Sequence, residues 1–315
     1  MSKQYLRASS LLFNQPLLVT PDMLDLGVRW ANQAMSLNII NLGPGSAQMW
    51  KDDDPIDRVA YADEQRRNAI AQSGIEVIPV SGVLVSRGSH MNICETMTSY
   101  EALRAQLQRA VADPMVEHIV LDIDSPGGSA VGAFELADDI RAMTQQKPIT
   151  GLSNFMAYSG GYLIGSACSE LVVSRTSGVG SIGVIASHMD RSKQEEGMGV
   201  KVTTVFAGAH KNDLSPHEPV SEQSLAFLND LVQESYQMFV NAVADFRGLP
   251  VAKVIATEAG LYRGQGAIDA GLADRLQSPQ HAVDELSRAV AQSRATRQAS
   301  RISVRATALA MQSLI

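Results

Sequence analysis

The sequence predicts an α/β fold in which helices cover a parallel sheet. Between residues 74 and 276, short β-branched segments alternate with amphipathic segments, and brief polar or glycine-containing stretches connect them. Such alternation is typical of parallel sheets, because neighbouring parallel strands need a crossover connection that is usually a helix. The chain has 315 residues and a hydrophobic fraction of 45%, which suffices for one large core domain with appendages.

The elements of this core are predicted from the period of their apolar residues. Residues 75–85 are apolar and β-branched except at Ser81-Gly82, which predicts a strand, a turn and a second short strand. Further strands are predicted at 116–123, 148–152, 170–174, 182–189 and 201–205. Helices are predicted at 99–111, 130–143, 159–167, 223–246, 251–258 and 264–270.

Two flanking regions lack the pattern of a core. Residues 1–73 are predicted to form an N-terminal arm, with helical periodicity at 22–42 and a polar stretch of linker composition at 51–67. Residues 277–315 carry five arginines against two acidic residues and few large apolar side chains. This composition predicts a polar, basic tail that is helical or disordered. The sequence therefore places a single domain at 74–276.

Composition argues against several classes of function. The net charge of −7 gives no basic footprint for a nucleic-acid partner. The two cysteines and six histidines lack metal-binding spacing, so we expect no metal, no cofactor and no disulfide framework. No apolar run approaches the about 20 residues that a membrane span needs. We therefore expect a cytoplasmic protein that binds neither membrane nor nucleic acid.

Ser159 is the first candidate catalytic residue. It lies in the segment N-F-M-A-Y-S-G-G-Y at 154–162, at the start of an apolar helical run. Gly160 would let a scissile carbonyl approach closely, and the N–H groups of the first helical turn would face an oxyanion formed there. Serine is also among the best helix N-caps, so this segment alone leaves a capping role open.

Two glycine-rich segments offer further groups that acyl transfer requires. The D-S-P-G-G sequence at 124–128 follows a predicted strand, and its adjacent glycines Gly127 and Gly128 are candidates for exposing backbone N–H groups to an oxyanion. The run G-V-G-S-I-G at 178–183 places the hydroxyl of Ser181 in a close-approach environment. Each segment is equally compatible with an ordinary turn.

Lys211 and His210 are competing candidates for a general base. Both lie in the segment A-H-K-N-D after a predicted strand. A lysine acts as a base where burial lowers its pKa from about 10.4 toward neutrality, and serine–lysine variants of the catalytic triad need no histidine. Because neighbouring side chains of an extended segment point to opposite faces, at most one of the two should face Ser159. An ordinary surface lysine stays open.

Taken together, these segments resemble the S49 serine peptidases, the signal peptide peptidase A family and its phage head-maturation relatives. The likeness covers about residues 74–276. Its motifs, in family order, are D-S-P-G-G at 124–128, Y-S-G-G-Y at 158–162, T-S-G-V-G-S-I-G-V at 176–184, A-H-K-N-D-L-S-P at 209–216 and Y-R-G-Q-G-A-I-D-A-G-L-A-D at 262–274. Residues 11–21 look like the start of phage capsid proteases of this family.

The resemblance implies a role for each matched side chain. Ser159 matches the family nucleophile and Lys211 its general base. Ser181 matches a serine that, in relatives, hydrogen-bonds the catalytic lysine. The family fold is the ClpP/crotonase-like α/β spiral, and its members assemble into rings or domes. In some members the serine and the lysine of one site come from adjacent subunits.

The resemblance also implies an oxyanion hole. Gly128, with Gly127, matches the family's oxyanion-hole turn, and the backbone N–H of Gly160 would be the second donor. These roles concern backbone groups, so they depend on the conformation that the chain adopts at each glycine.

The function that the sequence predicts is that of a homo-oligomeric Ser–Lys endopeptidase. The phage-like motifs suggest a head-maturation protease that cuts scaffold, capsid or portal proteins and itself, in the host cytoplasm or the assembling prohead. Two alternatives stay open. One is a cytosolic peptidase that digests signal peptides or other oligopeptides, and the other is a non-catalytic capsid assembly or scaffolding protein on a peptidase fold.

Overall fold

The computed structural model describes residues 16–20, 55–87 and 97–312. The helix predicted at 22–42 lies outside these ranges. Within them the chain forms a nine-stranded sheet. Its strands are β1 (Leu17–Val19), β2 (Ile75–Val85), β3 (Met97–Ser99), β4 (His118–Ser129), β5 (Ile149–Tyr158), β6 (Glu170–Val173), β7 (Gly178–Gly180), β8 (Leu261–Arg263) and β9 (Arg275–Leu276).

The sheet is mostly parallel, which confirms the predicted α/β class. Its main strand order is β3-β2-β4-β5-β6-β9, and β7 also pairs parallel with β5. Only β1, against β4, and β8, against β7, pair antiparallel in the described ranges. Because β4 and β5 run in the same direction, their carboxyl ends meet at one edge of the sheet, where ligands of open α/β sheets bind.

Nine helices in the described ranges surround the sheet. They are α1 (Pro55–Ser73), α2 (Tyr100–Ala112), α3 (Ala133–Met143), α4 (Gly160–Ala167), α5 (Ser192–Gly197), α6 (Glu222–Arg247), α7 (Val251–Ile255), α8 (Gln265–Asp269) and α9 (Pro279–Gln312). None of these helices combines the length and the apolar character that a bilayer crossing requires.

Both faces of the sheet are covered, which explains the apolar run at residues 119–121 of β4. Ile119 and Leu121 belong to the main core together with residues of α2, α3, α4 and α6. Val120, between them, faces the other side and clusters with Ala282 and Val290 of α9. Successive strand residues point to opposite faces, so a strand buried on both sides is apolar throughout. The start of the predicted polar tail thus packs on the sheet.

Three predicted strand patterns are wrong. Residues 75–85 form one continuous strand, because Gly82 adopts a φ of 69° and the register with β4 shifts there, as in a β-bulge rather than a turn. No strand forms at 201–205, and of 182–189 only Ile185 makes a bridge, with Leu17. These β-branched residues have no neighbouring strand, and Val205 is 92% exposed.

The linker predicted at 51–67 is also wrong from Pro55 onward, where α1 begins. Between 55 and 73 the chain has no glycine, and its one proline stands at the first helical position, where proline is tolerated. Ile70, 3% exposed, joins the main core. The polar residues of this segment therefore lie on a helix that packs on the domain.

The half-buried His118 is expected to make stability depend on pH. Burial lowers the pKa of His118 to about 4, from 6.5, and its Nε2 lies 2.9 Å from the Thr150 hydroxyl. The folded state thus keeps the neutral ring while the unfolded chain takes up a proton below pH 6.5. Stability from this group is fully present above that pH and falls as the pH drops, by about 1.4 kcal/mol per pH unit.

We expect His118→Gln to abolish this part of the pH dependence. Between pH 6.5 and about pH 5, the free energy of unfolding of the wild type should fall by about 2 kcal/mol more than that of the variant. Urea denaturation at several pH values measures the difference. His281→Gln changes an exposed histidine and is the control. An unchanged slope in His118→Gln would contradict the linkage.

Candidate active site

Ser159 stands at a sharp turn between β5 and α4. Its φ of 52° and ψ of −118° are unusual for a residue with a side chain. Two backbone bonds fix the turn: Ser159 N–H donates to Gly180 O at 2.8 Å, and Leu163 N–H donates to Ser159 O at 2.9 Å. A strained strand-to-helix turn of this kind presents a nucleophilic serine in other hydrolases.

The side chain of Ser159 does not cap the helix. It makes no capping hydrogen bond, so the capping interpretation that the sequence left open is excluded. The residue is 0% exposed, and its Oγ has no hydrogen-bond partner among the described residues. A buried hydroxyl without a partner costs about 1–3 kcal/mol, which points to a functional reason for its position.

The segment containing Gly127 and Gly128 is extended, whereas the sequence predicted a turn. It forms the end of β4 because it pairs on one side with Val83 and Leu84 of β2 and on the other with β1. Gly127 has a φ of 105°, which a side chain would rarely allow. β4 therefore stays extended through Gly127 and Gly128.

Of the two glycine N–H groups, that of Gly127 is engaged by a side chain of its own strand. Gly127 N–H donates to Ser125 Oγ at 3.1 Å, and the same hydroxyl donates to Gly82 O at 2.7 Å. A methyl group placed on Gly160 would lie 3.4 Å from Gly128 N and 3.5 Å from Gly127 Cα. Gly128 and Gly160 thus lie close together at the turn that carries Ser159.

Ser125 is a supporting residue that the sequence analysis missed. It is 0% exposed, and its one hydroxyl links the bulge of β2 to the end of β4. Its position inside the D-S-P-G-G motif was the only feature of the sequence that could have indicated this supporting role. The partner carbonyl, 43 residues away, could not be found without the fold.

We expect Ser125→Ala to lower the free energy of unfolding by about 1–3 kcal/mol, because Gly82 C=O and Gly127 N–H would both lose a buried partner. Chemical denaturation measures the loss. Ser166→Ala is the matched control: Ser166 is equally buried, but its hydroxyl donates only to Leu163 O within the same helix, at 2.8 Å. Equal losses in the two variants would contradict a special role for Ser125.

Ser181 directly follows Gly180, whose carbonyl oxygen accepts a hydrogen bond from the turn at Ser159. Gly180 O accepts the Ser159 N–H, and Ser181 N–H donates to Gly260 O at 3.0 Å. Ser181 has a φ of 55° and is 7% exposed. The structure therefore places this second strained, buried serine close along the chain to the backbone that supports Ser159.

Lys211 is not paired with Ser159 in the single chain. Lys211 is exposed, and its backbone N–H donates to Gly208 O in a turn. His210, the competing base, instead places its Nδ1 2.7 Å from an oxygen of Asp213. Neither residue reaches Ser159 Oγ, which has no partner in the part of the chain that the structure describes.

The segment that leads to Lys211 is apolar and exposed. Several of its large side chains are at least 40% exposed: Met198, Val200, Val202, Val205 and Phe206. Contiguous exposed apolar groups of this kind mark interaction surfaces.

Within residues 16–20, 55–87 and 97–312, no three His, Cys, Asp or Glu side chains are grouped to hold a metal ion.

The fold and the site define the class of protein to which the chain is similar: α/β proteins with a mostly parallel sheet and a buried serine at a strained strand-to-helix turn. Residues 141–293 match the model of peptidase family S49. This match confirms the predicted resemblance to the S49 peptidases.

Two phage proteins and one plant protein are among the relatives of the chain. "Capsid assembly protease C" of Escherichia phage lambda is 36% identical over 287 residues, covering 87% of this chain and 64% of that protein. "Head-tail preconnector protein GP5" of Enterobacteria phage P21 is 41% identical over 218 residues, covering 69% and 44%. "Serine protease SPPA, chloroplastic" of Arabidopsis thaliana is 28% identical over 225 residues, covering 71% and 31%. The chain thus spans less than two thirds of each of these relatives.

Proposed function

We propose that the chain is a serine endopeptidase that uses Ser159 as nucleophile and Lys211 as general base. The observation that carries this proposal is the buried Ser159 hydroxyl, which has no described partner and lies at a strained turn beside the N–H groups of Gly128 and Gly160. The match of residues 141–293 to the model of peptidase family S49 supports the same chemistry.

In the proposed mechanism, Ser159 Oγ attacks the scissile carbonyl carbon while the neutral amine of Lys211 takes its proton. The Gly128 and Gly160 N–H groups hold the oxyanion, and each such donor lowers the barrier by about 3–4 kcal/mol. The Lys211 ammonium, oriented by Ser181, then gives its proton to the leaving amine. Water releases the acyl group by the reverse proton transfers.

Lys211 is proposed to reach Ser159 from an adjacent subunit of a homo-oligomer. Three observations support this: Lys211 is exposed, Ser159 Oγ lacks a described partner, and the segment from Met198 to Phe206 exposes apolar side chains. A neighbouring subunit that covered this segment would remove the lysine from water, which favours the neutral amine that a base requires.

The biological role that we propose is phage head maturation, with capsid, portal or scaffold proteins and the chain itself as substrates. The names of the lambda and P21 relatives support it. On this proposal the protein works in the host cytoplasm or the assembling prohead, without metal, cofactor, membrane or nucleic acid.

Coexpression with candidate capsid, portal and scaffold proteins tests this role. We expect new protein termini, mapped by mass spectrometry, with the wild type and none with Ser159→Ala. Identical termini in both would remove the maturation role. Cleavage confined to signal peptides or oligopeptides would favour the oligopeptide peptidase, and assembly without any cleavage would favour a scaffolding protein.

A further inference from the structure

The short strand β1 lies between the end of β4 and the backbone at Ile185. On one side Leu17, Leu18 and Val19 pair antiparallel with Ser129, Gly128 and Gly127 of β4. On the other side Leu17 exchanges both backbone hydrogen bonds with Ile185, at 2.8 and 3.0 Å. An extended segment that adds to a sheet edge in this way is a recurring mode of peptide recognition.

The carbonyl group of Leu18 lies beside the N–H groups proposed to hold the oxyanion. Ala130 N–H donates to Pro16 O at 3.4 Å. Hydrogen-bonded pairs alternate along an antiparallel ladder, so the next such pair is Leu18 with Gly128, and Gly128 N–H faces Leu18 O. A methyl group placed on Gly160 would lie 3.4 Å from both Leu18 O and Gly128 N.

The side chains of this segment are held as firmly as its backbone. Leu18 is 0% exposed and belongs to the main apolar core, and Leu17 is 3% exposed. Removing an apolar side chain of this size from water is strongly favourable, so both residues anchor the segment. The register of β1 is consequently fixed with the Leu18 carbonyl, rather than a neighbour's, at the Gly128 and Gly160 N–H groups.

We infer that β1 is a substrate segment of the protein's own active site and that the bond between Leu18 and Val19 is a self-cleavage site. This inference rests on the proposed function, because it needs Ser159 as nucleophile. Its substrate class is an extended apolar peptide with leucine on the acyl side of the bond and a second leucine before it.

The reaction consumes one water molecule. Ser159 Oγ forms a bond to the Leu18 carbonyl carbon and passes its proton to the Lys211 amine. The carbon–nitrogen bond to Val19 breaks, and that proton moves to the new Val19 amine. Water then attacks the Leu18 ester. Its hydroxyl stays on the Leu18 carboxyl group, and its remaining proton returns through Lys211 to Ser159 Oγ.

N-terminal sequencing and intact mass of the purified full chain test the inference. We expect Val19 as a new N-terminus in the wild type and an uncut bond in Ser159→Ala. Val19→Pro keeps the two anchoring leucines but places a constrained ring and no N–H at the leaving amine, so we expect it to stay uncut as well. Circular dichroism of each variant verifies folding.

A second assay separates this inference from the proposed function. The same preparations are given an unfolded protein substrate such as denatured casein. If the wild type cleaves casein but leaves the Leu18–Val19 bond whole, the self-cleavage site is wrong and the peptidase stands. If the wild type cuts neither, the proposed function fails and takes this inference with it. A cut at Val19 in Ser159→Ala would assign the event to another peptidase and overturn the inference.

Discussion

Ser159→Ala is expected to abolish proteolysis while making the protein slightly more stable. Loss of a catalytic nucleophile lowers kcat on the order of 10⁶-fold, because no other group can form the acyl intermediate. The stability should rise by about 1 kcal/mol, since the change removes a buried hydroxyl that has no described partner. A peptide-cleavage assay and thermal denaturation measure the two effects.

The opposite signs of these effects distinguish a catalytic serine from a structural one. Ser166→Ala removes a buried hydroxyl from the helix that follows Ser159, one that does make a hydrogen bond, and should retain turnover. If Ser159→Ala were both inactive and clearly destabilised, Ser159 would hold the turn rather than perform the chemistry.

Lys211→Ala is expected to abolish turnover to a similar degree, because no proton acceptor would remain for Ser159. Lys211→Arg should be equally inactive, since a guanidinium group cannot give up its proton at neutral pH. Lys201→Ala removes another exposed lysine from the same region and is the control. Normal turnover in Lys211→Ala would transfer the role to another base, with His210 the next to test.

Mixed oligomers show whether the lysine comes from a neighbour. Ser159→Ala and Lys211→Ala chains are each inactive, but a site shared between subunits can combine the intact serine of one with the intact lysine of the other. Random mixing of equal amounts should restore roughly a quarter of the sites in a cyclic oligomer. Complete inactivity of well-mixed oligomers would place both residues of the dyad in one chain.

The sequence was most informative where the site is built from local chain. Residues 158–161 carry the proposed nucleophile, the proposed oxyanion donor and the helix start, and the structure begins the helix there as predicted. The alternation of strands and helices likewise predicted the parallel sheet. Two neighbouring parallel strands are joined by a crossover that is usually a helix, and this strand–helix–strand order can be recognised from local sequence.

Features that depend on distant partners were not predictable. The D-S-P-G-G segment resembles a turn by composition, yet it stays extended because β1 and β2 pair with it from far along the chain. Leu17 and Leu18 likewise gave no sign of their place at the site. Nothing local in the segment Lys201–Val205 shows that it lacks a neighbouring strand, so its β-branched residues were misread.

One folded chain does not bring Lys211 into contact with Ser159. The motif of Lys211 resembles that of the family base, but its position in the fold is exposed and separate from Ser159. On our account the missing contact is made by assembly, which neither local pattern nor one folded subunit can supply.

The distance between Ser159 Oγ and Lys211 Nζ in an experimental structure of the assembled oligomer tests this account most directly. We predict that the two atoms of each working site lie within hydrogen-bond reach, about 2.6–3.2 Å, with the lysine contributed by the adjacent subunit. An oligomer in which every Lys211 lies beyond reach, while another titratable side chain contacts Ser159 Oγ, would contradict it.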